Sequence, residues 1–338
     1  MKKILSLAVA SALAAPAMAL PPIQDPGFNG SVNLGIGGGE LESNFLAKID
    51  GIDLDLGEDT INDFDSPEAE SLTMAVANLD VGYTLSGGNT RFSLGTDIGS
   101  DLIEFDRAIR LSARHDFDSL GQMRADYLAS PGAAPTQTWE DPYLLNESRK
   151  ETDREMTGVR FIWHEIMGTG LEFKATVRNI DIDDERSGVS TNLTAAERRL
   201  LDREGDVYRY ELGYKFQLNE QHMLRPSVMY VDKDLDGDAM AQDGVNVQLQ
   251  HAYVSQGIQW TSQISYTDLE GDSENPLFNE VNDAENYSFA SRIAFPGSID
   301  FLGKWVPNVA VTWADSDSDI DFNDSNVWMI QAALLRRF

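Results

Sequence analysis

The last segment of the chain, Asn326–Phe338, limits the possible folds more than any other feature of the sequence. Read backwards in steps of two from the terminal aromatic, one face carries Phe338, Arg336, Leu334, Ala332, Ile330 and Trp328. This alternation extends over about thirteen residues, more than the ~5–6 residues common in strands of soluble sheets, so it predicts a membrane-crossing strand. Because an unpaired backbone N–H or C=O group costs several kcal/mol in hydrocarbon, such a strand must close into a barrel with partners from the rest of the chain.

The rest of the sequence contains segments with the same alternation. From Gly27 onward an alternating segment, a long acidic stretch, a second alternating segment and a short turn follow one another repeatedly, giving fourteen alternating segments. The sequence therefore predicts an all-β fold: a transmembrane antiparallel up-and-down β-barrel of about 14 strands, with short periplasmic turns and long acidic extracellular loops. A count of 12 strands stays open, because the first segment, Gly27–Leu41, is rich in glycine and only Gly99–Asp106 separates the third and fourth segments.

Aromatic residues lie near the predicted strand ends on the outward face, as the interfacial girdles of a membrane barrel require. They are Tyr83, Tyr127, Tyr230, Tyr266, Tyr287, Trp305, Trp313 and Trp328. A soluble sandwich is the alternative, but its outward positions would carry Lys, Glu and Thr instead of Val, Leu, Tyr and Phe. Pro226 and Pro307 fall inside predicted strands, where each removes a ladder donor, so we expect local bulges or fraying there.

The N-terminal segment has the pattern of a secretory signal peptide. Lys2 and Lys3 precede a short apolar run, Ile4–Ala15, and Ala17–Ala19 forms an A-x-A cleavage site. Residues 1–19 are predicted to be removed, and residues 20–338 to form a single barrel domain. A membrane anchor is the alternative, but the apolar run is shorter than the ~20 residues needed to span a bilayer.

The composition excludes several classes of function. The chain has 338 residues, 56 acidic and 26 basic, with a formal net charge of −30 and no cysteine. Nucleic acid is not expected as a partner, since its binding rewards clustered basic surface. The absence of cysteine removes disulfides and cysteine-based metal or nucleophile chemistry. The 4 histidines are scattered outside any catalytic or metal-binding spacing, so no enzymatic activity is predicted.

An A-x-A signal peptide, fourteen alternating segments and a final phenylalanine together resemble Gram-negative outer-membrane β-barrel proteins along the whole chain. The resemblance implies a place in the outer membrane, contact with its lipid and lipopolysaccharide, and recognition by the barrel-assembly machinery. In that family a terminal aromatic and apolar residues at alternate positions before it form the assembly signal, which Phe338, Leu334 and Trp328 match. Arg336 departs from the pattern, and we expect its side chain to reach the periplasmic interface.

Within this class the strand count is similar to monomeric fourteen-stranded pores and to long-chain fatty-acid transporters. The transporters carry an N-terminal plug, for which Leu20–Pro26 leaves no room. The resemblance therefore favours an open pore.

The inward face predicts a basic wall on strands four to nine. Its pore-lining candidates are Arg110, Arg114, Arg124, Arg160, Lys174, Arg178, Arg209, Lys215 and Arg225. Fewer acidic companions are predicted, namely Asp126, Glu172 and Glu211, and the opposite wall carries neutral amides that include Gln248 and Gln263. This arrangement predicts passive diffusion of small hydrophilic solutes, with anionic or oligosaccharide solutes favoured. The alternative is that the inward charges pair across strands and only fill the lumen.

The predicted loops hold most of the acidic residues, which form a solvated surface or bridge divalent cations to lipopolysaccharide. Within one loop, Thr194 and Glu197 have the spacing of a helix capping box. Another segment has the spacing of an EF-hand loop, with Ca²⁺ as the only cofactor candidate and with ligands Asp232, Asp234, Asp236, Asp238 and Asp243. It lacks flanking helices, so a polar hairpin loop is the alternative.

The alternative to a pore is a closed structural or surface-interaction barrel whose acidic loops bind divalent cations, lipopolysaccharide or host surfaces.

Overall fold

The computed structural model describes residues 23, 25–49, 54–98, 107–132, 135–297 and 303–338. These residues form a closed barrel of 14 antiparallel strands, so the predicted fold class is confirmed and the count of 12 is wrong. The strands are β1 (Gly27–Ser43), β2 (Ala69–Thr84), β3 (Thr90–Ile98), β4 (Arg107–Asp116), β5 (Gln122–Ala129), β6 (Glu151–His164), β7 (Leu171–Ile182), β8 (Gly205–Tyr214), β9 (His222–Leu235), β10 (Gln242–Val254), β11 (Gln259–Gly271), β12 (Ala284–Ala294), β13 (Val306–Ser318) and β14 (Ser325–Arg337). The predicted signal peptide and the segment Gly99–Asp106 lie outside the described residues.

The first and last strands close the ring. Strand β14 pairs with β1 from Ser31 opposite Arg337 to Ser43 opposite Ser325. Beyond the strand end, the N–H of Phe338 donates to the carbonyl oxygen of Gly30 at 3.0 Å, and the N–H of Gly30 donates back at 2.9 Å. The pairing of the first and last strands closes the sheet into a ring, which is what a β-structure in hydrocarbon requires.

The outward face is apolar along most of the barrel. Its exposed side chains include Leu34, Ile36, Leu94, Leu111, Val159, Leu212, Val247, Ile264, Val309 and Ile330. Aromatic residues lie side by side on neighbouring strands at one end of this belt: Tyr210 opposite Tyr230, Tyr266 opposite Tyr287, and Trp313 opposite Trp328. A contiguous exposed apolar surface of this extent is the lipid-facing surface of an outer-membrane barrel.

The two departures noted in the sequence have structural explanations. The guanidinium carbon of Arg336 lies 5.7 Å from the ring centroid of Trp305, so this base stacks on an interfacial indole beside the apolar row. The ladders through Pro226 and Pro307 continue without the register shift of the predicted bulge, and each proline is paired with a leucine of the neighbouring strand.

Among the described residues, no helix has the length and apolarity needed to cross a membrane.

The long loops all leave the same end of the barrel, which is the extracellular end when the short turns are periplasmic. In chain order we name them L1 (44–68), L3 (130–150), L4 (183–204), L5 (236–241), L6 (272–283) and L7 (319–324); L2 (99–106) is outside the described residues. Short strands at Leu46–Ile49, Leu54–Asp55 and Thr136–Trp139 join L1 to L3, and the last of these pairs with the start of β6. Helix α1 (Ala195–Arg199) lies in L4 and begins with the predicted capping box.

Candidate functional site

The extracellular loops meet in one apolar cluster, which we call the lid. It contains Phe45, Ile61 and Phe64 from L1, Tyr143 and Leu145 from L3, Leu193, Leu200 and Leu201 from L4, Ala239 and Met240 from L5, Leu277 and Phe278 from L6, and Ile320 and Phe322 from L7. These loops leave the barrel at points all around its circumference, so they can share one cluster only by converging over the barrel axis. The loops therefore cover the extracellular end of the barrel in this structure.

Five aromatic rings form the centre of the lid: Phe45, Phe64, Tyr143, Phe278 and Phe322. Phe322 is fully buried and contacts the four others. Its ring stacks on Tyr143 at a centroid distance of 5.2 Å and on Phe278 at 5.8 Å. Burial raises the pKa of the Tyr143 hydroxyl, so this residue stays neutral at any physiological pH. Such ring pairs add to the free energy of apolar burial that holds the lid together.

Part of L1 also packs against the inner surface of the barrel. Leu46, Ile49 and Leu56 are buried against inward residues of β1, β2 and β14, among them Leu72 and Met329. The acidic composition of the loops predicts solvated segments, whereas these apolar residues of L1 contact the inner surface of the barrel.

Two buried arginines connect the loops to one another. The guanidinium of Arg149 lies 4.4 Å over the ring of Trp139 and donates to the carbonyl oxygens of Asn44 at 3.0 Å, Pro142 at 3.3 Å, and Glu58. Burial lowers the pKa of Arg149 to about 10, so the side chain remains charged at neutral pH. These bonds tie L1 to L3 through one cation.

Arg203 makes the equivalent connection for L4. Its guanidinium pairs with Glu185 at 2.7 Å and donates to the hydroxyl of Thr138 at 2.8 Å and to the carbonyl of Trp139 at 2.7 Å. Thr138 in turn donates to the carbonyl of Phe45 at 2.6 Å. L1, L3 and L4 are therefore linked by polar as well as apolar contacts.

A cavity of about 180 Å³ lies directly beneath the lid. The lid residues Phe45 and Met240 form part of its boundary, together with the upper ends of β7 to β9 and of β11 to β14. We call this space the chamber.

The predicted basic wall is present below the chamber. Arg110, Arg114, Arg124, Arg160, Lys174, Arg178, Arg209 and Arg225 occupy positions that alternate with the exposed outer residues of β4 to β9, so their side chains face the lumen. Lys215 lies at the periplasmic rim, where it pairs with Glu165 of the turn after β6 at 2.7 Å. Gln248 and Gln263 lie on β10 and β11, and the latter accepts a hydrogen bond from Gln250 at 3.0 Å.

One ion-pair network occupies the wall formed by β2 to β7. Arg160 contacts Asp97 at 2.7 Å and Asp126 at 3.0 Å. Arg110 reaches Asp80 at 2.7 Å and Asp97 at 3.4 Å. Asp80 and Asp97 were missed in the sequence, although both alternate with outward Leu79 and Leu94 in a way that would have placed them inside.

A second network lies on β6 to β9. Glu172 contacts the Nδ1 atom of His164 at 2.8 Å and also pairs with Arg225, which reaches Glu211 at 2.8 Å. Lys174 pairs with the other oxygen of Glu211. The predicted acids Asp126, Glu172 and Glu211 are thus all partners of the wall, and the bases of the wall remain more numerous than its acids.

The segment with EF-hand spacing has a different conformation from the one its spacing predicts. Asp232 and Asp234 belong to β9, which continues to Leu235, and Asp232 faces Asp243 across the ladder with β10. Only Asp236 and Asp238 lie in the short loop L5. Within the described ranges, no three acidic or histidine side chains are grouped so that they could hold a metal ion.

The structure also brings together two histidines that are far apart in sequence. His222 Nδ1 lies 3.0 Å from His251 Nε2 near the periplasmic ends of β9 and β10, and His251 packs edge-on against Trp260. The two histidines are diagonal neighbours across β9 and β10, which can be recognised only when the register of the two strands is known.

Comparisons with known proteins complete the description. A family model described as "Protein of unknown function (DUF2860)" matches residues 27–335. No curated protein matches the chain. Among solved structures, a FadL homologue of Pseudomonas aeruginosa is similar at 10% identity and a TM-score of 0.46, over 98% of this chain and 97% of that chain.

Two further solved structures show a comparable level of similarity. A deltaS2 mutant of the TodX monoaromatic hydrocarbon channel has 11% identity and a TM-score of 0.47, over 93% of this chain and 90% of that chain. The outer-membrane channel DcaP of Acinetobacter baumannii has 11% identity and a TM-score of 0.44, over 92% and 96%.

Proposed function

We propose that this chain, which belongs to the family described as "Protein of unknown function (DUF2860)", is a gated outer-membrane channel for small hydrophilic solutes that favours anions. The observation that carries the proposal is the excess of bases over acids on the inner wall of β4 to β9. Held inside a membrane barrel, such an excess gives the lumen a positive potential, which admits anions more readily than cations. The interior of a barrel of eight strands is just wide enough to be filled by side chains, so side chains alone do not fill the interior of a barrel of 14 strands.

The ion pairs set how the wall works. Asp80, Asp97 and Asp126 hold Arg110 and Arg160 in fixed positions on the wall, so a passing solute does not need to order these guanidinium groups. The facing amides of Gln248 and Gln263 offer hydrogen bonds to hydroxylated solutes, which extends the proposal to oligosaccharides. Passage along the lumen is passive diffusion, filtered by charge.

The lid makes the channel gated. Because L1 and L3 to L7 share one apolar cluster over the axis, solutes enter only when that cluster separates. Loop clusters held by a few buried rings are a low-stability part of a structure and open more readily than the barrel strands.

Solute flux into proteoliposomes tests the proposal. We expect gluconate to enter faster than glucosamine, which has a similar size and the opposite charge, and both to enter faster in a variant with a loosened lid. Empty liposomes are the control. Faster entry of glucosamine than of gluconate would contradict the proposed anion preference.

The closed lid also supports a second candidate, a structural or surface-interaction barrel. That candidate predicts no solute entry, either in the wild type or in a variant whose lid is shown to be loosened. The same flux measurement therefore separates the two.

A further inference from the structure

The chamber has a lining unlike the rest of this acidic chain. The chain carries 56 acidic residues, yet no aspartate or glutamate lines the chamber among the residues that the structure describes, whereas Arg154, Arg203 and Lys233 do. The charged side chains that line the chamber are therefore all bases; Glu185, which pairs with Arg203 at 2.7 Å, is outside the lining. In a protein with a formal net charge of −30, this excess of bases makes the chamber less negative than the rest of the chain.

One side of the chamber is apolar. Ile180 and Ile182 of β7, Val207 of β8, Leu235 of β9 and Leu269 of β11 contribute to it. Val207 and the two isoleucines are buried in one cluster with Met156. This surface is fixed by barrel strands and is therefore present whether the lid is open or closed.

The other side is polar and uncharged. It is formed by the upper ends of β12 to β14 and the adjoining loops, with Asn282, Asn286, Ser316, Ser318, Asn323 and Ser325. The Ser316 hydroxyl donates to Asn286 at 2.7 Å, and the Ser318 hydroxyl donates to Asn282 at 2.9 Å. These mutual hydrogen bonds hold the amides in place and leave hydrogen-bonding capacity on each group.

We infer that the chamber binds a compact amphipathic anion. Its apolar body lies against the apolar side chains of β7 to β9, and its anionic head lies at the bases of that same side, Arg154, Arg203 and Lys233, where the facing amide and hydroxyl groups donate hydrogen bonds to it. The size is suitable, since a cavity of about 150 Å³ accommodates benzene and this one has about 180 Å³, which leaves room for a small head group. The inference deepens the proposed function and rests on it for its role as an entry site. A solute held here would lie between the lid and the basic wall.

Binding of phenylacetate to the protein in lipid nanodiscs tests the inference, with 4-fluorophenylacetate followed by fluorine NMR and empty nanodiscs as the correction for partitioning. We expect saturable binding that is at least about fivefold tighter than that of the uncharged phenylacetamide, because a hydrogen bond to a charged group contributes more than a neutral one. Acetate, which lacks the apolar body, should bind more weakly than phenylacetate.

Two pairs of variants locate the site. Asn286→Phe fills the chamber and should abolish binding, whereas Ser288→Phe, one inward position lower on β12, should leave it intact. Lys233→Gln should weaken phenylacetate binding at least about fivefold and leave phenylacetamide unchanged. Lys304→Gln, which removes an exposed base between β12 and β13 that does not line the chamber, should change neither.

The result that overturns the inference is the absence of saturable binding both in the wild type and in Phe322→Ala, where the lid no longer limits access. Binding that persists in Asn286→Phe would also overturn it. Anion-selective flux without phenylacetate binding would contradict the chamber ligand alone, and binding without any flux would contradict the channel alone.

Discussion

The ring of Tyr143 in L3 stacks on the ring of Phe322 in L7 at a centroid distance of 5.2 Å, across the extracellular end of the barrel. The two residues come from opposite parts of the circumference, between β5 and β6 and between β13 and β14. Their contact shows that the loops form a common structure, which makes the lid the element that controls entry.

Phe322→Ala should open the lid. The side chain is fully buried and touches four other rings, and replacing a buried phenylalanine by alanine typically costs about 3–5 kcal/mol. Because the contacts are between loops, we expect this loss to appear as more frequent channel openings in planar bilayers and not as unfolding of the barrel.

Phe117→Ala is the matched control, since Phe117 is exposed in a periplasmic turn far from the lid. If Phe322→Ala increases hydrogen exchange of the loops but leaves the conductance at the wild-type level, the lid does not gate the channel.

Arg149→Met should free L1 from L3. The variant keeps an apolar stem against Trp139, but three carbonyl oxygens, those of Asn44, Glu58 and Pro142, lose their donor. A buried acceptor left without a partner costs about 1–3 kcal/mol. We expect faster hydrogen exchange across residues 44–68, measured by mass spectrometry.

Arg186→Met provides the comparison, because Arg186 is exposed and its ion pairs with Glu140 and Asp184 are long, at 4.0 Å. Equal exchange rates in the two variants would show that Arg149 does not hold L1 in place.

Acid should favour the closed lid. Burial, with Asp317 and Asp321 nearby, raises the pKa of Asp324 above its usual value of 3.8, and burial with Glu68 and Glu70 nearby raises that of Glu58 above 4.5. The closed state therefore binds protons more tightly than an open state with ordinary carboxyls. Each ionised carboxylate destabilises the closed lid in full at pH values above its raised pKa. This destabilisation disappears as the pH falls below the ordinary pKa of the carboxyl group.

The predicted observation is a channel open probability that falls as the pH is lowered towards 4.5 and 3.8, the ordinary values of these carboxyls. Asp324→Asn should reduce this dependence, because one of the two titrating groups is removed. An open probability that rises on acidification would show that the sign is wrong.

Gly39→Ala should impair closure of the barrel. A Cβ atom at Gly39 would lie 1.8 Å from the carbonyl oxygen of Trp328 and 2.8 Å from Cα of Met329, so β1 and β14 would have to move apart. At Gly38 the nearest atom to such a Cβ is the carbonyl oxygen of Leu72 at 3.3 Å. We expect a lower yield of the heat-modifiable folded band on SDS gels for Gly39→Ala than for Gly38→Ala, and equal yields would contradict this reading.

The strands could be predicted from the sequence because the barrel imposes a period of two on every strand, whatever its partners. The same alternation gives Arg110 and Arg160 inward positions in sequence and structure alike, and it would have identified Asp80 and Asp97 if it had been applied to β2 and β3. The glycines of β1 weakened the prediction of that strand, although Gly39 is there because the neighbouring strand approaches too closely for a side chain.

The lid could not be predicted in this way. Phe45 and Phe322 are brought together by loops at the two ends of the chain, and the amide of the adjacent Asn44 donates to the carbonyl of Phe322 across 278 residues. Loops have no periodicity that reports on burial, so their aromatic residues looked like isolated apolar positions in acidic segments. The chamber depends on the lid and was invisible for the same reason.

The reversal potential of the purified protein in a planar bilayer, under a potassium chloride gradient, reports whether the gated lumen prefers anions. We predict that the reversal potential has the sign of the chloride equilibrium potential in both the wild type and Phe322→Ala, with larger currents in the variant. A reversal potential with the sign of the potassium equilibrium potential, or the absence of any current in both proteins, would contradict a gated lumen that prefers anions.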